Sequence, residues 1–280
     1  MISDMKPTKD KAPKGDHQNI ARVHLVMNAI ADSSGAGLRL VDVVEKTGLA
    51  SGPVHRLLNG LASYGFVDFE EASGRYYLGL QITSWAFSAA NRYGLAPFVE
   101  PSLERLAERT QDTVYFSLLS RDRSICVDRH EGDHPVRTLT TEIGQTYPLG
   151  LGSASLAIFA FQPDDYIEKI LDEQEEQRAF AKVSREQLVK DIAETRERGV
   201  SIVEALLIEG MTGIGIPILR NDGRAIGAIN ITATTSRLSG ERRDQVIAWM
   251  KEEVDAIRER AGSTLDAAFV RRRRGARRTI

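Results

Sequence analysis

The sequence predicts an α+β protein in two parts: an N-terminal winged helix-turn-helix, then a sensor-type, GAF-like antiparallel sheet domain with helices. Three observations predict it. The first 80 residues hold three short stretches of helical apolar spacing and then a hairpin pattern. Beyond residue 113, strand-like runs around polar or Gly-bearing turns alternate with helical ones. At 280 residues the chain is also too long for one simple core.

Residues 1–17 alternate Lys, Asp, Pro and Gly without apolar periodicity and read as a disordered arm. Ile20, Val23, Met27 and Ile30 then fall on one helical stripe, which the run from Ser33 to Gly37 interrupts. Leu40, Val43 and Val44 mark a second, short helix that stops at Gly48, a left-handed cap. Ser51 is placed to cap a third helix whose Val54, Leu57, Leu58, Leu61 and Ala62 form the next stripe. Pro53 falls in the first turn, where no helical N–H is needed, and Gly65 ends the helix. Phe66–Phe69 and Arg75–Leu78, around a turn at 70–74, read as a hairpin. Residues 18–80 are thus expected to form the winged helix-turn-helix, and 81–95, with Trp85 and Ala89 on one side, a linker helix.

In the second part, 96–268, strands are expected at 113–119, 124–129, 201–205, 213–219 and 224–232, the last two joined by an Asn221-Asp222-Gly223 hairpin turn. Helices are expected at 153–161, 164–175 and 184–198, and a long final helix follows Ser239 to about residue 268. Short antiparallel strands with helices on one or both faces imply α+β layering. The tail, 269–280, is rich in arginine, with six in the last ten residues, and reads as a phosphate grip or a solvated end.

Composition narrows the function. Hydrophobic residues are 42% and charged residues 27%, which is globular usage. No apolar run reaches bilayer length, and residues 1–18 lack a signal-peptide core, so a cytoplasmic protein without membrane partners is expected. Cys126 is the only cysteine; it excludes an intramolecular disulfide and a cysteine-based zinc cluster, and inside an apolar strand it reads as packing. Net charge is −2, and residues 17–80 hold five bases against six acids. Phosphate neutralisation is therefore weak, and helix N-termini and subunit pairing must compensate.

The third helix leaves Ser51, Gly52, His55, Arg56 and Asn59 opposite its buried stripe, with Arg75 on the wing. Arg, Asn and His pair with base edges in the major groove, and Gly52 permits close backbone approach to phosphate. The same module also serves protein–protein contacts. His130-Glu131-Gly132-Asp133-His134 spells a zinc-protease pattern, yet a strand-like run precedes it and Pro135 follows, so no metal site is expected. Gly150-Leu151-Gly152-Ser153-Ala154-Ser155 precedes a helix and offers N–H groups to an anion, or simply starts the helix.

The stretch from Gly48 to Leu58 resembles the recognition segment of the isocitrate lyase regulator (IclR) family of bacterial transcription regulators. The resemblance continues through Gly65-Phe66-Val67, Gly74-Arg75-Tyr76, Leu78-Gly79, Arg129-His130-Glu131-Gly132, Pro148-Leu149, Arg198-Gly199, Gly213–Pro217 and Ala228–Arg237. It implies a DNA-binding regulator that works as a dimer or a dimer of dimers, with a small-molecule pocket in the C-terminal domain. Carried over position by position, that pocket includes Leu139, Ser153, Ala154, Met211, Asn230 and Thr232. Ser51 stands where the family usually has Lys or Arg. Val203 and Gly213 stand where an acid and a cysteine are common, and Gly150 and Leu156 where His and Lys are frequent. A less polar pocket is implied than one built for a two- or three-carbon keto acid. Glu204, next to Val203 in a strand, faces the other way.

The expected function is a ligand-responsive DNA-binding regulator, with repression favoured over activation. Its effector is a small organic acid, aromatic in the fullest form of the reading. Neither enzymatic activity nor a cofactor is expected, since no nucleophile–base pair, metal cluster or cofactor loop is spaced convincingly. The alternatives are a winged-helix protein-interaction module, or an enzyme that uses the C-terminal domain.

Overall fold

A computed structural model describes residues 17–33, 35–135, 141–206 and 208–265, and it divides into two compact units at Arg92/Tyr93. The arm before residue 17, Leu139 and the arginine tail lie outside the described residues.

The first unit contains α1 (Gln18–Ala31), β1 (Leu38–Arg39), α2 (Leu40–Thr47), α3 (Ser51–Ser63), β2 (Val67–Glu70), β3 (Arg75–Leu78) and α4 (Leu80–Tyr93). Val26 and Ile30 of α1 meet Val43, Val54, Leu58, Leu61, Val67 and Tyr76 in one core, as the apolar stripes require. Gly48 takes φ 66° and its N–H bonds to the Val44 carbonyl, so α2 ends in a left-handed turn that costs glycine nothing. α3 begins three residues later. Ser51 is not its cap: Ala50 holds that position in extended backbone, and Ser51 is the first helical residue. β1 has no counterpart among the sequence expectations. It pairs Leu38 with Tyr76 and Arg39 with Arg75, giving a three-stranded antiparallel sheet in the order β1-β3-β2. Two residues are too few to show alternation.

The second unit contains α5 (Ala96–Thr110), β4 (Thr113–Ser120), β5 (Arg123–His130), β6 (Thr146–Pro148), α6 (Ser153–Ala160), α7 (Asp164–Glu173) and α8 (Glu175–Phe180). It continues with α9 (Arg185–Arg198), β7 (Ser201–Glu204), β8 (Met211–Leu219), β9 (Ala225–Thr234) and α10 (Gly240–Ala261). Its six strands form one antiparallel sheet, ordered β6-β5-β4-β9-β8-β7. The period-2 alternation of strands sorts their side chains. Val114, Phe116, Ile214, Ile216, Ile229 and Ile231 face α5 and α10, while Ala228 and Val203 share the other face with α6, α7 and α9. The final helix stops at Ala261 instead of reaching about 268, because Gly262 ends it at φ 46°. α5, α8 and β6 go beyond the sequence expectations, and α5 carries Pro101 in its interior.

Two ionic clamps hold the α5–α10 layer. Glu253, 6% exposed, accepts from Arg105 Nε at 2.8 Å, Arg105 Nη2 at 2.6 Å and Ser102 Oγ at 2.6 Å. Asp112, whose side chain is 2% exposed, accepts from Arg237 at 2.8 Å and Arg242 at 3.1 Å. Both arginines also cap the Thr110 carbonyl. Buried carboxylates are tolerable only when so paired.

Burial raises the Glu253 pKa, but the bonds from Arg105 and Ser102 outweigh it and hold the carboxyl below its ordinary value. Because its folded pKa lies below the unfolded one, this stabilisation is complete above the unfolded value. It disappears as pH falls through the folded value. Glu253→Gln should therefore lower stability at pH 7 by about 1–3 kcal/mol. The loss should shrink as pH falls below about 4.3. Denaturant unfolding across pH checks this, and an equal deficit at pH 7 and pH 3 would count against it.

Candidate functional site

Two places in the molecule bring chemistry-bearing residues together, one in each unit. In the first, α3 buries Val54, Leu58 and Leu61 and thereby turns Ser51, Gly52, His55, Arg56 and Asn59 outward, all exposed. Arg56 has no hydrogen-bond or ion-pair partner among the described residues, so its guanidinium is available to an external acceptor. Arg75 differs from the sequence expectation. It is half-buried, and its Nη1 donates to the Gly37 carbonyl at 2.7 Å and the Ala36 carbonyl at 3.4 Å. This guanidinium ties β3 to the turn before β1 and is not displayed beside Arg56. Asp68 and Glu70 lie on β2 and Glu71 in the turn that follows, and Glu70 accepts from Ser73.

The second place lies on the α6 face of the large sheet. All eight residues of α6 are buried, which drives its N-terminus into the domain. The chain enters through Gly150 at φ 87° and Gly152 at φ 117°. A Cβ on Gly150 would lie 2.6 Å from Leu188 Cδ1, so glycine is required there for space as well as for conformation. Under the helix start, β8 supplies Gly213 and Gly215. A Cβ at Gly213 would fall 2.6 Å from Ser153 Oγ, and one at Gly215 2.5 Å from the Ser153 carbonyl. Ser201 Oγ donates to that same carbonyl at 2.7 Å. The glycine that stands in place of a cysteine is thus what gives the Ser153 hydroxyl its room.

Between the helix start and the strands is a cleft, about 600 Å³ of free space with its open mouth included. Ser153, Ala154, Met211, Asn230 and Thr232 all line it; Leu139 lies outside the described residues. Val203 and Gly213 line it too, while Glu204 points away and pairs with Arg243 at 3.2 Å. Sequence reasoning missed Ser117 on β4, Ser124 on β5, Thr141, Tyr147, Ser155, Leu206 and Ile208. The signal for two of these was present. Ser117 and Ser124 are small polar residues in otherwise apolar runs, on the face that alternation turns toward the cleft.

No lining residue among those described carries a charged side chain. Tyr147 lies close to Thr141, hydroxyl to hydroxyl, at 3.1 Å, and burial pushes its phenol up to about 12, so it stays neutral. Ser117, Ser124, Ser153 and Asn230 line the cleft, are each more than nine-tenths buried as residues, and make no side-chain hydrogen bond to another described residue. Polar groups gathered on a concave wall without protein partners suit a ligand or water that pairs with them.

The zinc-protease spelling at 130–134 has the strand-and-loop setting that its flanks suggested. His130 closes β5, and the next residues form a loop in which Gly132 packs against the Gln111 backbone; a Cβ there would sit 2.2 Å from the Gln111 carbonyl carbon. The two histidines share no helical face. No helix is long and apolar enough to cross a membrane among the described residues.

Comparison with known proteins identifies both units. Residues 20–71 match the family model described as the IclR helix-turn-helix domain, and residues 87–259 match that described as bacterial transcriptional regulator IclR C-terminal. The chain is 26% identical over 247 residues to the DNA-binding transcriptional repressor YiaJ of Escherichia coli, covering 86% of this chain and 87% of that one. Its fold is similar to that of an IclR transcriptional regulator from Alicyclobacillus acidocaldarius, with TM-score 0.75 at 20% identity over 87% of this chain and 98% of that one. It is likewise similar to an IclR homologue from Microbacterium hydrocarbonoxydans in complex with 4-hydroxybenzoate, with TM-score 0.70 at 18% identity over 89% and 99% of the two chains. A helix-turn-helix of this type joined to this sheet domain, matched over more than half the chain, makes the protein a member of the IclR family of transcriptional regulators, with a DNA-binding unit and an effector-binding unit.

Proposed function

We propose that the protein is a repressor that reads DNA through the outward face of α3 and is released by a small aromatic acid bound in the cleft beneath α6. It acts as a homodimer or a dimer of dimers, whose paired readers offset the low positive charge of each. The observation that carries the ligand assignment is the set of uncharged polar side chains of Ser117, Ser124, Ser153 and Asn230 on the cleft wall, none bonded to another described side chain or carbonyl. Ser153 and Asn230, with the free N–H groups of the first turn of α6, suit one anionic or hydroxyl-bearing end. Leu151, Val203, Leu206, Ile208 and Met211 supply wall for a larger apolar body. A keto acid of two or three carbons is mostly charged head and would leave that wall uncovered. The relative solved with 4-hydroxybenzoate holds a ligand of the proposed kind. The ligand's effect passes along the chain through α4, the covalent connection between the units.

Two outcomes are expected. Arg56→Ala should abolish specific binding to DNA from upstream of the chain's own gene, in a salt-titrated gel shift, with the thermal melt unchanged. One good base contact contributes roughly 1–3 kcal/mol of discrimination. Unchanged affinity would show that α3 faces elsewhere. Calorimetry against glyoxylate, pyruvate and a panel of aromatic acids should find an aromatic binder whose affinity falls at least about tenfold in Asn230→Ala. Tight binding of pyruvate, with no aromatic acid bound, would refute the ligand class.

A further inference from the structure

Three charged residues among those described are more than nine-tenths buried: Asp112, Glu253 and Arg178. The first two are paired, Asp112 with Arg237 and Arg242, Glu253 with Arg105. Arg178, on α8 and 5% exposed, has neither a side-chain hydrogen bond nor an ion pair to any described residue. A buried cation without a counter-ion is strongly unfavourable. Its surroundings do not explain it. Gln174, Gln177 and Arg178 fall on the inward face of α8 and its cap, while Glu175, Glu176, Ala179 and Phe180 are exposed. Gln174 Nε2 donates to the Asp122 carbonyl at 2.6 Å, which pins this face to the turn between β4 and β5. The side-chain oxygens of Gln174 and Gln177 are closed off from solvent and accept nothing. Two acceptors thus stand on the face that carries the guanidinium, and it bonds neither.

Nearby carboxylates are engaged elsewhere or lie at the surface: Asp172 and Glu168 hold Arg185, and Glu175 is exposed. Burial and the Arg185 charge lower the Arg178 pKa, and Glu175 and Asp172 offset only part of this. The guanidinium nitrogens, although without partners, are not among the atoms closed off from solvent. They therefore end at an opening in the surface. Arg196 shows the contrast, since its guanidinium is taken up by the Ala160 and Gln162 carbonyls and by Asp164. We propose that Arg178 is the cation of a second ligand site, separate from the cleft under α6, that takes a small carboxylate. The planar guanidinium offers parallel N–H groups that match the two oxygens of a carboxylate. One negative charge balances the one cation, and Asp172 and Glu175 disfavour a more highly charged ligand. Arg178 is not part of the wall of the cleft.

The test follows thermal melting of the full chain in chloride buffer, then with sodium acetate replacing chloride at constant ionic strength. In chloride, Arg178→Met should melt above the parent by roughly 2 °C or more, because an unpaired buried cation is gone. Acetate at about ten times its dissociation constant should raise the parent by roughly 3 °C or more and leave Arg178→Met where it was. Arg178→Lys keeps the charge without the planar fork and should respond less than the parent. It also keeps the test open if the methionine variant does not fold. Asn230→Ala, altered in the cleft, should respond to acetate like the parent. A purely structural arginine would leave the gap between parent and variant the same in both buffers, and that result would overturn the site. An acetate response lost in Asn230→Ala and kept in Arg178→Met would place the acetate in the cleft, and would overturn it too. Stabilisation by inorganic phosphate but not by acetate would overturn the carboxylate assignment. If Arg178→Met lowers the melting temperature in chloride and changes the sedimentation coefficient, the counter-ion comes from a second copy of the chain, and the proposal fails.

Discussion

The ligand domain depends on burying an apolar helix end-on. Ser153–Ala160 is buried on every side, between the sheet and the α7/α9 layer. A helix apolar all round must be buried, and burying it places its N-terminal N–H groups inside the protein, where they need acceptors. Nearly everything distinctive about the site follows from that demand. Gly150 and Gly152 turn the chain in where side chains would collide or strain. Gly213 and Gly215 let the helix start sit on β8, and Ser201 takes up the Ser153 carbonyl. The polar side chains left around the helix start face one cleft.

The opposite face of the same sheet works differently. There α5 and α10 are held by apolar packing and by carboxylates that each receive two or more charged or hydroxyl donors. Ion pairs and apolar packing make that side a rigid support. On the cleft side, uncharged polar side chains line a concave wall. This asymmetry, more than any one residue, marks where a ligand belongs.

In the winged unit the trade runs the other way. Its core is short-range and locally encoded, with three helical stripes closing on a hairpin. The surface it presents is poor in positive charge. Arg75 shows how a residue that suits DNA can be claimed by the fold. Its guanidinium fits the carbonyls of Ala36 and Gly37, which lie close only because β1 pairs with β3.

Local physics made most elements legible. Helical stripes at 20–30, 40–44 and 54–62, the left-handed cap at Gly48, the two hairpins and the outward set on α3 all rest on spacing of three or four residues or on single turns. α5 escaped notice because Pro97 and Pro101 argue against a helix, although Leu95, Val99, Leu103 and Leu106 keep its spacing. β1 and β6 were too short to carry a pattern. The resemblance named five described residues that line the cleft, because position in a family survives where side-chain chemistry has changed. Ser117, Ser124, Thr141 and Tyr147 could not be found that way. They come from three strands, β4, β5 and β6, and a loop, and only the pairing of β5 with β6 and β4, and of β4 with β9, brings them to Asn230. The sequence by itself determined which segments fold locally and which face of each is apolar, since periodicity is written in consecutive residues. Only the tertiary structure decided which polar groups would meet on one cleft wall, because that depends on which distant strands come together.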